Sequence, residues 1–122
     1  MYSINYSQKK GLAYILAESP LAFCLQETKV DSSTIPAELK EVAQDYPHIH
    51  WAHSSVPGSN GVCTLAKTQP IRVVSGFPKH EDDSQEVAEL KIKFNNEGRL
   101  LLTEFEKFTL VNACKWFAYA CF

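Results

Sequence analysis

The spacing of hydrophobic residues in the first third of the chain predicts a helix, a strand and a second helix. In residues 11–19 the apolar side chains recur at helical spacing, and the segment stops before Pro20, whose ring disfavours helical geometry in the preceding residue. Residues 21–25 are a compact apolar run, which is typical of a strand buried on both faces. Pro36 then suits the first turn of a second helix.

After residue 47 the hydrophobic residues fall into short runs separated by Gly, Pro, Asn and Asp, a pattern typical of strands joined by turns. The predicted strands are residues 50–53, 61–66, 71–74 and the two arms of a hairpin within residues 100–113. Residues 106–107 suit the hairpin turn, and apolar residues occupy both alternating positions of its arms. Both faces of the hairpin are therefore expected to be covered.

Residues 79–96 form an insertion with a less regular pattern. They begin with an acidic stretch and continue with an alternation of apolar and polar positions. The apolar residues of this alternation are Val87, Leu90, Ile92 and Phe94. The pattern predicts either a loop or an added strand pair.

Composition limits the chain to one globular domain. Of its 122 residues 45% are hydrophobic and 21% are charged, so the chain is long enough to bury about two thirds of its unfolded surface. The formal net charge of −2 argues against a strongly basic nucleic-acid scaffold, and any contact with nucleic acid must therefore be local. The four cysteines form no Cys-x-x-Cys pair, and no apolar segment has the length of a membrane span. Free thiols in the cytosol or nucleus are expected.

The most informative chemical feature is the polar cluster that ends the first predicted strand. The apolar run stops at Gln26, Glu27 and Thr28, which places a carboxylate at the rim of a sheet. Such a carboxylate is a hard oxygen ligand, suited to a divalent cation or to a site that meets phosphate. Glu27 is therefore the first candidate site residue.

Three histidines offer a second candidate metal site. His48 and His50 share one face of a predicted strand, and His53 follows them. No carboxylate or cysteine is paired with them nearby in the sequence. A rim of partly exposed strand histidines is the favoured interpretation.

Six short strings carry a resemblance to a known family. They are Lys9-Lys10-Gly11-Leu12, Cys24-Leu25-Gln26-Glu27-Thr28-Lys29, Pro36-Ala37-Glu38-Leu39, Gly61-Val62, Glu97-Gly98-Arg99 and Phe108-Thr109-Leu110-Val111-Asn112-Ala113. In this order and spacing they look like the amino-terminal half of an exonuclease III-type apurinic/apyrimidinic (AP) endonuclease of the endonuclease/exonuclease/phosphatase superfamily. The resemblance predicts a domain at residues 1–113 and a divergent tail at residues 114–122.

The resemblance implies an α/β fold. The family forms a four-layer α/β sandwich, in which two mixed sheets pack face to face beneath outer helices. The chain is expected to supply half of it, one mixed β-sheet with helices on its outer face. The inner face would then lack a partner sheet and would favour self-association. Residues expected on that face include Val62, Leu65, Leu102, Phe105, Leu110 and Val111.

The resemblance also implies site residues, a cofactor and a partner. Glu27 takes the place of the family's Mg²⁺ ligand, with Mn²⁺ as the alternative ion, and Asn5 takes the place of the amide beside the metal. Lys9 and Lys10 match a lysine pair that grips a DNA phosphate, and they are equally well explained as solvated charges before a helix. The implied partner is DNA containing abasic sites, and the implied location is the nucleus, with the cytoplasm as the alternative.

Several departures from the family pattern bear on activity. The Gly-Leu-Arg-Ala segment that touches DNA is missing after Asn5, and Ser59 stands where a Tyr packs against DNA. After Ala113 the family's Tyr-Val-Pro-Asn string is replaced, and the catalytic Gly-Asp-x-Asn and Ser-Asp-His strings do not occur. The chain is therefore expected not to cut DNA by itself. The alternatives are another phosphodiesterase of the superfamily and a truncated, non-catalytic module that binds DNA or protein.

Overall fold

The computed structural model describes residues 6–30 and 35–114 of the chain. Within them the chain folds into three helices and six strands. In chain order these are α1 (Tyr6–Glu18), β1 (Ala22–Gln26), α2 (Ala37–Asp45), β2 (His48–Ala52), β3 (Val62–Ala66), β4 (Arg72–Ser75), α3 (Gln85–Asn95), β5 (Leu100–Glu104) and β6 (Thr109–Ala113). In this described part no helix has both the length and the apolar character to cross a membrane.

Most of the predicted elements are present. Helix α1 begins earlier than predicted and ends before Pro20, and α2 follows Pro36. The hairpin of β5 and β6 turns at residues 106–107, where the Phe105 N–H donates a hydrogen bond to the Phe108 carbonyl at 2.8 Å. These elements formed where local turn and capping signals agreed with the hydrophobic spacing.

The segment between β4 and β5 contains helix α3, and the prediction of a loop or an added strand pair is wrong. Ser84 caps the first turn, because its hydroxyl oxygen accepts a hydrogen bond from the Val87 N–H at 3.3 Å. Val87, Leu90 and Phe94 lie three and four positions apart, which is helical spacing. Leu90, Ile92 and Phe94 also alternate with polar residues, and this alternation is typical of a strand.

The six strands form two three-stranded sheets, and every pairing between them is antiparallel in the described part. Sheet A has the order β1-β3-β2, and sheet B has the order β4-β5-β6. The α/β class is confirmed, whereas two antiparallel sheets replace the single mixed sheet that was expected. The short connections from β2 to β3 and from β5 to β6 account for those two antiparallel pairs, because parallel neighbours need crossovers of about a dozen residues or more.

Helices α1 and α2 cover one face of sheet A. Phe23, Cys63 and Leu65 of the sheet pack there against Leu39 and Val42 of α2, and partly buried residues of α1 complete this core cluster. Burial raises the pKa of the Cys63 thiol, so that this cysteine is a neutral core residue. The expectation of helices on one outer face is confirmed for sheet A.

Sheet B covers the opposite face of sheet A, so the expectation of an uncovered inner face is wrong. Strands of the two sheets are in contact, and Ala52, Val62 and Leu101 form a small apolar cluster between them. Leu65 points instead toward the helices, because it lies at the other alternating position of β3 from Val62. Val111 is exposed, since it alternates with a buried residue of β6 that faces sheet A. Self-association stays a prediction, and of the residues expected on the inner face Val111 is exposed.

Buried polar side chains also occupy the interface between the sheets. Thr64 of sheet A and Thr103 and Asn112 of sheet B are buried there. The Asn112 Nδ2 group donates hydrogen bonds to the Cys63 carbonyl at 2.9 Å and to the Leu25 carbonyl at 3.3 Å. One amide of sheet B thus bridges two neighbouring strands of sheet A, and it does so near the end of β1.

Replacing Asn112 with alanine is expected to lower the free energy of unfolding by about 1–3 kcal/mol, because buried carbonyl groups would lose their donor. Urea unfolding followed by circular dichroism measures this change. Val111→Thr is the matched control on the exposed side of the same strand, and it should change stability by less than about 0.5 kcal/mol. Equal effects of the two substitutions would show that the amide bridge does not hold the sheets together.

Candidate metal and DNA site

Glu27 lies where the chain leaves sheet A. Strand β1 ends at Gln26, and the Glu27 side chain that follows is exposed. The backbone of Glu27 has a φ angle of 52°, in the left-handed region that residues other than glycine seldom adopt. The fold thus presents an accessible carboxylate at the end of a core strand, and its role as a metal ligand stays a prediction.

Two backbone hydrogen bonds hold the residues after Glu27 against the loop that precedes β3. The Thr28 N–H donates to the Gly61 carbonyl at 3.1 Å, and the Lys29 N–H donates to the Asn60 carbonyl at 2.8 Å. Gly61 has a φ angle of 90°, and a Cβ atom there would lie 2.5 Å from Thr28 Oγ1. Only glycine permits so close an approach of the two segments.

Cys114 contacts Glu27 from the end of β6. Its Sγ donates a hydrogen bond to Glu27 Oε1 at 3.4 Å, and its backbone N–H donates to the Arg99 carbonyl at 2.9 Å. Burial raises the pKa of the Cys114 thiol, and the hydrogen bond and charge of Glu27 raise that pKa further. The thiol is therefore protonated at neutral pH and remains a donor. No motif pointed to this residue, which falls in the predicted divergent tail.

The described residues supply one of the ligands that a Mg²⁺ ion would need. Such an ion takes six oxygen ligands in near-octahedral geometry, whereas the neighbour of Glu27 is a thiol. Within residues 6–30 and 35–114, no group of three His, Cys, Asp or Glu side chains is arranged to hold a metal ion. These residues alone do not fit a complete Mg²⁺ site.

The other predicted site residues lie toward the start of the chain. Asn5 is outside the described residues, so its place beside the metal stays a prediction. Lys9 and Lys10 lie within α1 rather than before a helix, and Lys10 is exposed. Their contact with a DNA phosphate also stays a prediction.

The histidines are half-buried residues of β2 and of the turn that follows it. His50 pairs with Thr64 across sheet A, on the face of β2 that it shares with His48. Burial lowers the pKa of His50, and the nearby His48 lowers it further. His53 Nδ1 lies 3.1 Å from the Val30 carbonyl oxygen.

An open cavity of about 480 Å³, lined mostly by polar and charged residues, lies between the end of α3 and the loop that joins β2 to β3. Lys93 and Asn96 line it from the helix side, and Ser59 and Asn60 line it from the loop. The Asn60 carbonyl also accepts the hydrogen bond of the Lys29 N–H, so one wall of the cavity is joined to the segment that follows Glu27. The sequence could not indicate this cavity, because one of its walls is a helix that the pattern did not predict.

Comparison with known proteins identifies the class of the chain. No protein-family model matches it. It is 37% identical over 107 residues, 87% of its length, to the DNA repair nuclease APEX1 of Danio rerio, of which the match covers 30%. It is 28% identical over 99 residues, 81% of its length, to the DNA-(apurinic or apyrimidinic site) endonuclease of Dictyostelium discoideum, of which the match covers 23%.

Among solved structures the chain is similar to an AP endonuclease from Archaeoglobus fulgidus. The TM-score is 0.58 at 24% sequence identity, and the match covers 84% of this chain and 34% of the other. This likeness shows that the two share a fold. The sequence relatives define the chain as a homologue of DNA-repair nucleases. More specifically, these matches are consistent with a fragment of an AP endonuclease, as the six strings predicted, and the chain spans less than a third of the length of these two relatives.

Replacing Gly61 with alanine is expected to lower the free energy of unfolding by about 1–3 kcal/mol. The added methyl group would meet Thr28 Oγ1, and alanine is strained at a φ angle of 90°. Equilibrium unfolding in urea measures the loss. Gly11→Ala is the matched control in α1, where an added Cβ has no neighbour within 4 Å, and it should stabilise the chain by about 0.5–1 kcal/mol. If Gly61→Ala were as stable as the wild type, the two segments would not be locked together.

The free energy of unfolding is expected to fall as the pH drops below about 6.5, the unperturbed value for histidine. The pKa of His50 is lower in the folded state than in the unfolded state, so the unfolded chain binds more protons between those two values. Stability should therefore rise with pH across that window and level off above it. Urea unfolding between pH 5 and 8 measures the slope. His50→Gln should flatten it, whereas His80→Gln, at an exposed position, should not. If the free energy of unfolding varied with pH equally in the wild type and in His50→Gln, the pH dependence would not come from His50.

Proposed function

We propose that the chain is the amino-terminal part of a Mg²⁺-dependent AP endonuclease, which hydrolyses the DNA phosphodiester on the 5′ side of an abasic site. The observation that carries this proposal is the exposed Glu27 carboxylate at the end of β1, in a chain homologous to DNA-repair AP endonucleases. A carboxylate in that position is accessible to a cation, which could in turn contact a phosphate. Hydrogen bonds between the backbones of two segments hold it there.

The ion would be held by Glu27 and by Asn5 together with groups outside the described residues. When bound, Mg²⁺ supplies positive charge that neutralises the scissile phosphate and its developing negative charge. The described residues contribute an anchored ligand rather than a complete site. Their part is to fix the position of one carboxylate before the substrate arrives, which lowers the cost of assembling the reacting groups.

We also propose that the 122 residues by themselves do not cut DNA at a measurable rate. A single anchored carboxylate provides too few oxygen ligands for useful Mg²⁺ affinity, since this ion is normally fixed by more than one carboxylate or by substrate phosphates. Lys9 and Lys10, near the start of α1, are proposed to contact the phosphate backbone of DNA. The proposed partner is DNA with abasic sites, and the proposed location is the nucleus.

Binding of DNA without cleavage is the second candidate function for the isolated chain. It is favoured by the open cavity between α3 and the loop from β2 to β3, whose lining includes hydroxyl, amide and cationic side chains together with Glu97 and Val56. Groups of these kinds contact the phosphates and sugars of DNA in protein complexes. The two functions are compatible, because the first concerns the complete enzyme and the second concerns this part of it.

The role of Glu27 is tested in a chimera in which this chain replaces the matching segment of the Danio rerio nuclease. Glu27→Gln removes the negative charge of the proposed ligand, and incision of an abasic duplex with Mg²⁺ should fall by about 100-fold or more. Cleavage of an end-labelled oligonucleotide duplex measures the rate. The isolated chain, assayed in parallel, should give no product above background.

Glu106→Gln in the exposed turn between β5 and β6 is the matched control, because it makes the same chemical change away from the site. The chimera carrying it should cut at the rate of the parent chimera. Full activity of the Glu27→Gln chimera would refute the assignment of the ligand. Incision by the isolated chain would refute the proposal that further residues are required.

A further inference from the structure

The two segments that line this cavity, the loop between β2 and β3 and the end of α3, contact each other directly. The Ser55 N–H donates a hydrogen bond to the Asn96 carbonyl at 2.7 Å, which ties the loop between β2 and β3 to the end of α3. Gly98 packs against the same loop, because a Cβ atom there would overlap the backbone of His53 and Ser54. The cavity is therefore a fixed feature of the fold and not a gap between loose segments.

The charges that line this cavity leave a local positive excess. Arg99 has a side chain only 7% exposed, and its Nε is paired with the Glu97 carboxylate, so that these two charges cancel. Lys93 also lines the cavity and is an exposed residue in the last turn of α3. It forms neither an ion pair nor a hydrogen bond within residues 6–30 and 35–114. One ammonium group is thus free to neutralise an anion there.

Apart from the apolar Val56, the remaining lining residues carry groups that suit an oxyanion. Ser54, Ser55 and Ser59 bring hydroxyl groups, and Asn60 and Asn96 bring side-chain amides. The Ser54 hydroxyl oxygen already accepts a hydrogen bond from the Val56 N–H at 3.1 Å, which leaves its own proton available for donation. A cation surrounded by neutral donors is the usual environment of a phosphate in a protein–DNA complex.

We propose that this cavity holds a backbone phosphate of the DNA strand, and that Lys93 is its charged contact. The proposal rests on the proposed function, since it requires that DNA approach Glu27. Asn60 links the two places, because its carbonyl oxygen accepts the Lys29 N–H just after Glu27 while the residue itself lines the cavity. Lys93 lies in the 79–96 insertion, to which none of the six family-like strings extends. The proposed contact is therefore not one that the family resemblance implies.

Fluorescence anisotropy with a labelled abasic duplex and the 122-residue chain, without metal, tests the proposal. Lys93→Gln should weaken binding by about 3–10-fold at low salt. It should also reduce the slope of log K against log salt concentration by about 1, as expected for the loss of one phosphate contact. An undamaged duplex should show the same change, because a phosphate contact does not depend on the missing base.

Lys40→Gln is the matched control, because Lys40 is an exposed residue of α2 outside the cavity and its loss changes the net charge equally. This variant should leave the affinity within about 1.5-fold and the salt slope unchanged. Equal effects of the two substitutions would overturn the proposal, as would a chain that fails to bind DNA at 20 mM salt. Neither result would affect the incision measured with the chimera, so the failure of this inference is distinct from a failure of the proposed function.

Discussion

The amide of Asn112 is the contact on which the arrangement of the site depends, because it joins the two sheets close to the carboxylate. Its Nδ2 group reaches across the interface to the Leu25 carbonyl, two residues before Glu27, and to a carbonyl of β3. Beside it, Gln26 Nε2 donates to the Ala113 carbonyl at 2.6 Å. Buried polar groups need partners in a medium of low dielectric constant, so these bonds fix how the sheets are placed against each other. The small apolar cluster between the sheets could not do this alone, since hydrophobic contact has no direction.

Three of the four described residues other than glycine with a positive φ angle lie in the two segments that meet after β1 and before β3. Glu27, Lys29 and Asn60 have positive φ angles although none is glycine, and each such residue costs on the order of 1–3 kcal/mol. Strained conformations persist only where the surroundings enforce them, and here the two segments enforce each other through their hydrogen bonds. The Glu27 carboxylate is consequently positioned by its backbone. In the described part of the chain a hydrogen bond from Cys114 occupies one of its oxygens and leaves the other accessible.

The sequence predicted local elements well and their assembly poorly. Pro20 and Pro36 bound the first two helices, and the turn at residues 106–107 forms the hairpin, because each of these signals acts over a few residues. The division into two sheets depends on contacts between distant strands, which no local pattern specifies. Helix α3 was missed because Ile92 obscured its period. Glu27 was found because it interrupts an apolar run, whereas Cys114 could be recognised only once β6 lay beside β1.

Helix α3 also bears on the proposal that a chain with a net charge of −2 binds a phosphate of DNA. Part of the negative charge of the acidic stretch before the helix is neutralised, since Asp83 forms an ion pair with Lys91 at 2.7 Å. The hydrogen bond from Lys91 also lowers the pKa of Asp83. Lys93 lies at the opposite, carboxyl-terminal end of the helix, where the helix dipole favours a cation. At physiological ionic strength the Debye length is about 8 Å, so exposed charges farther from a bound phosphate than this contribute little. Among the residues that line the cavity, Glu97 and Arg99 form an ion pair and Lys93 is the cation that remains, so the proposed contact depends on this local balance more than on the net charge of the chain.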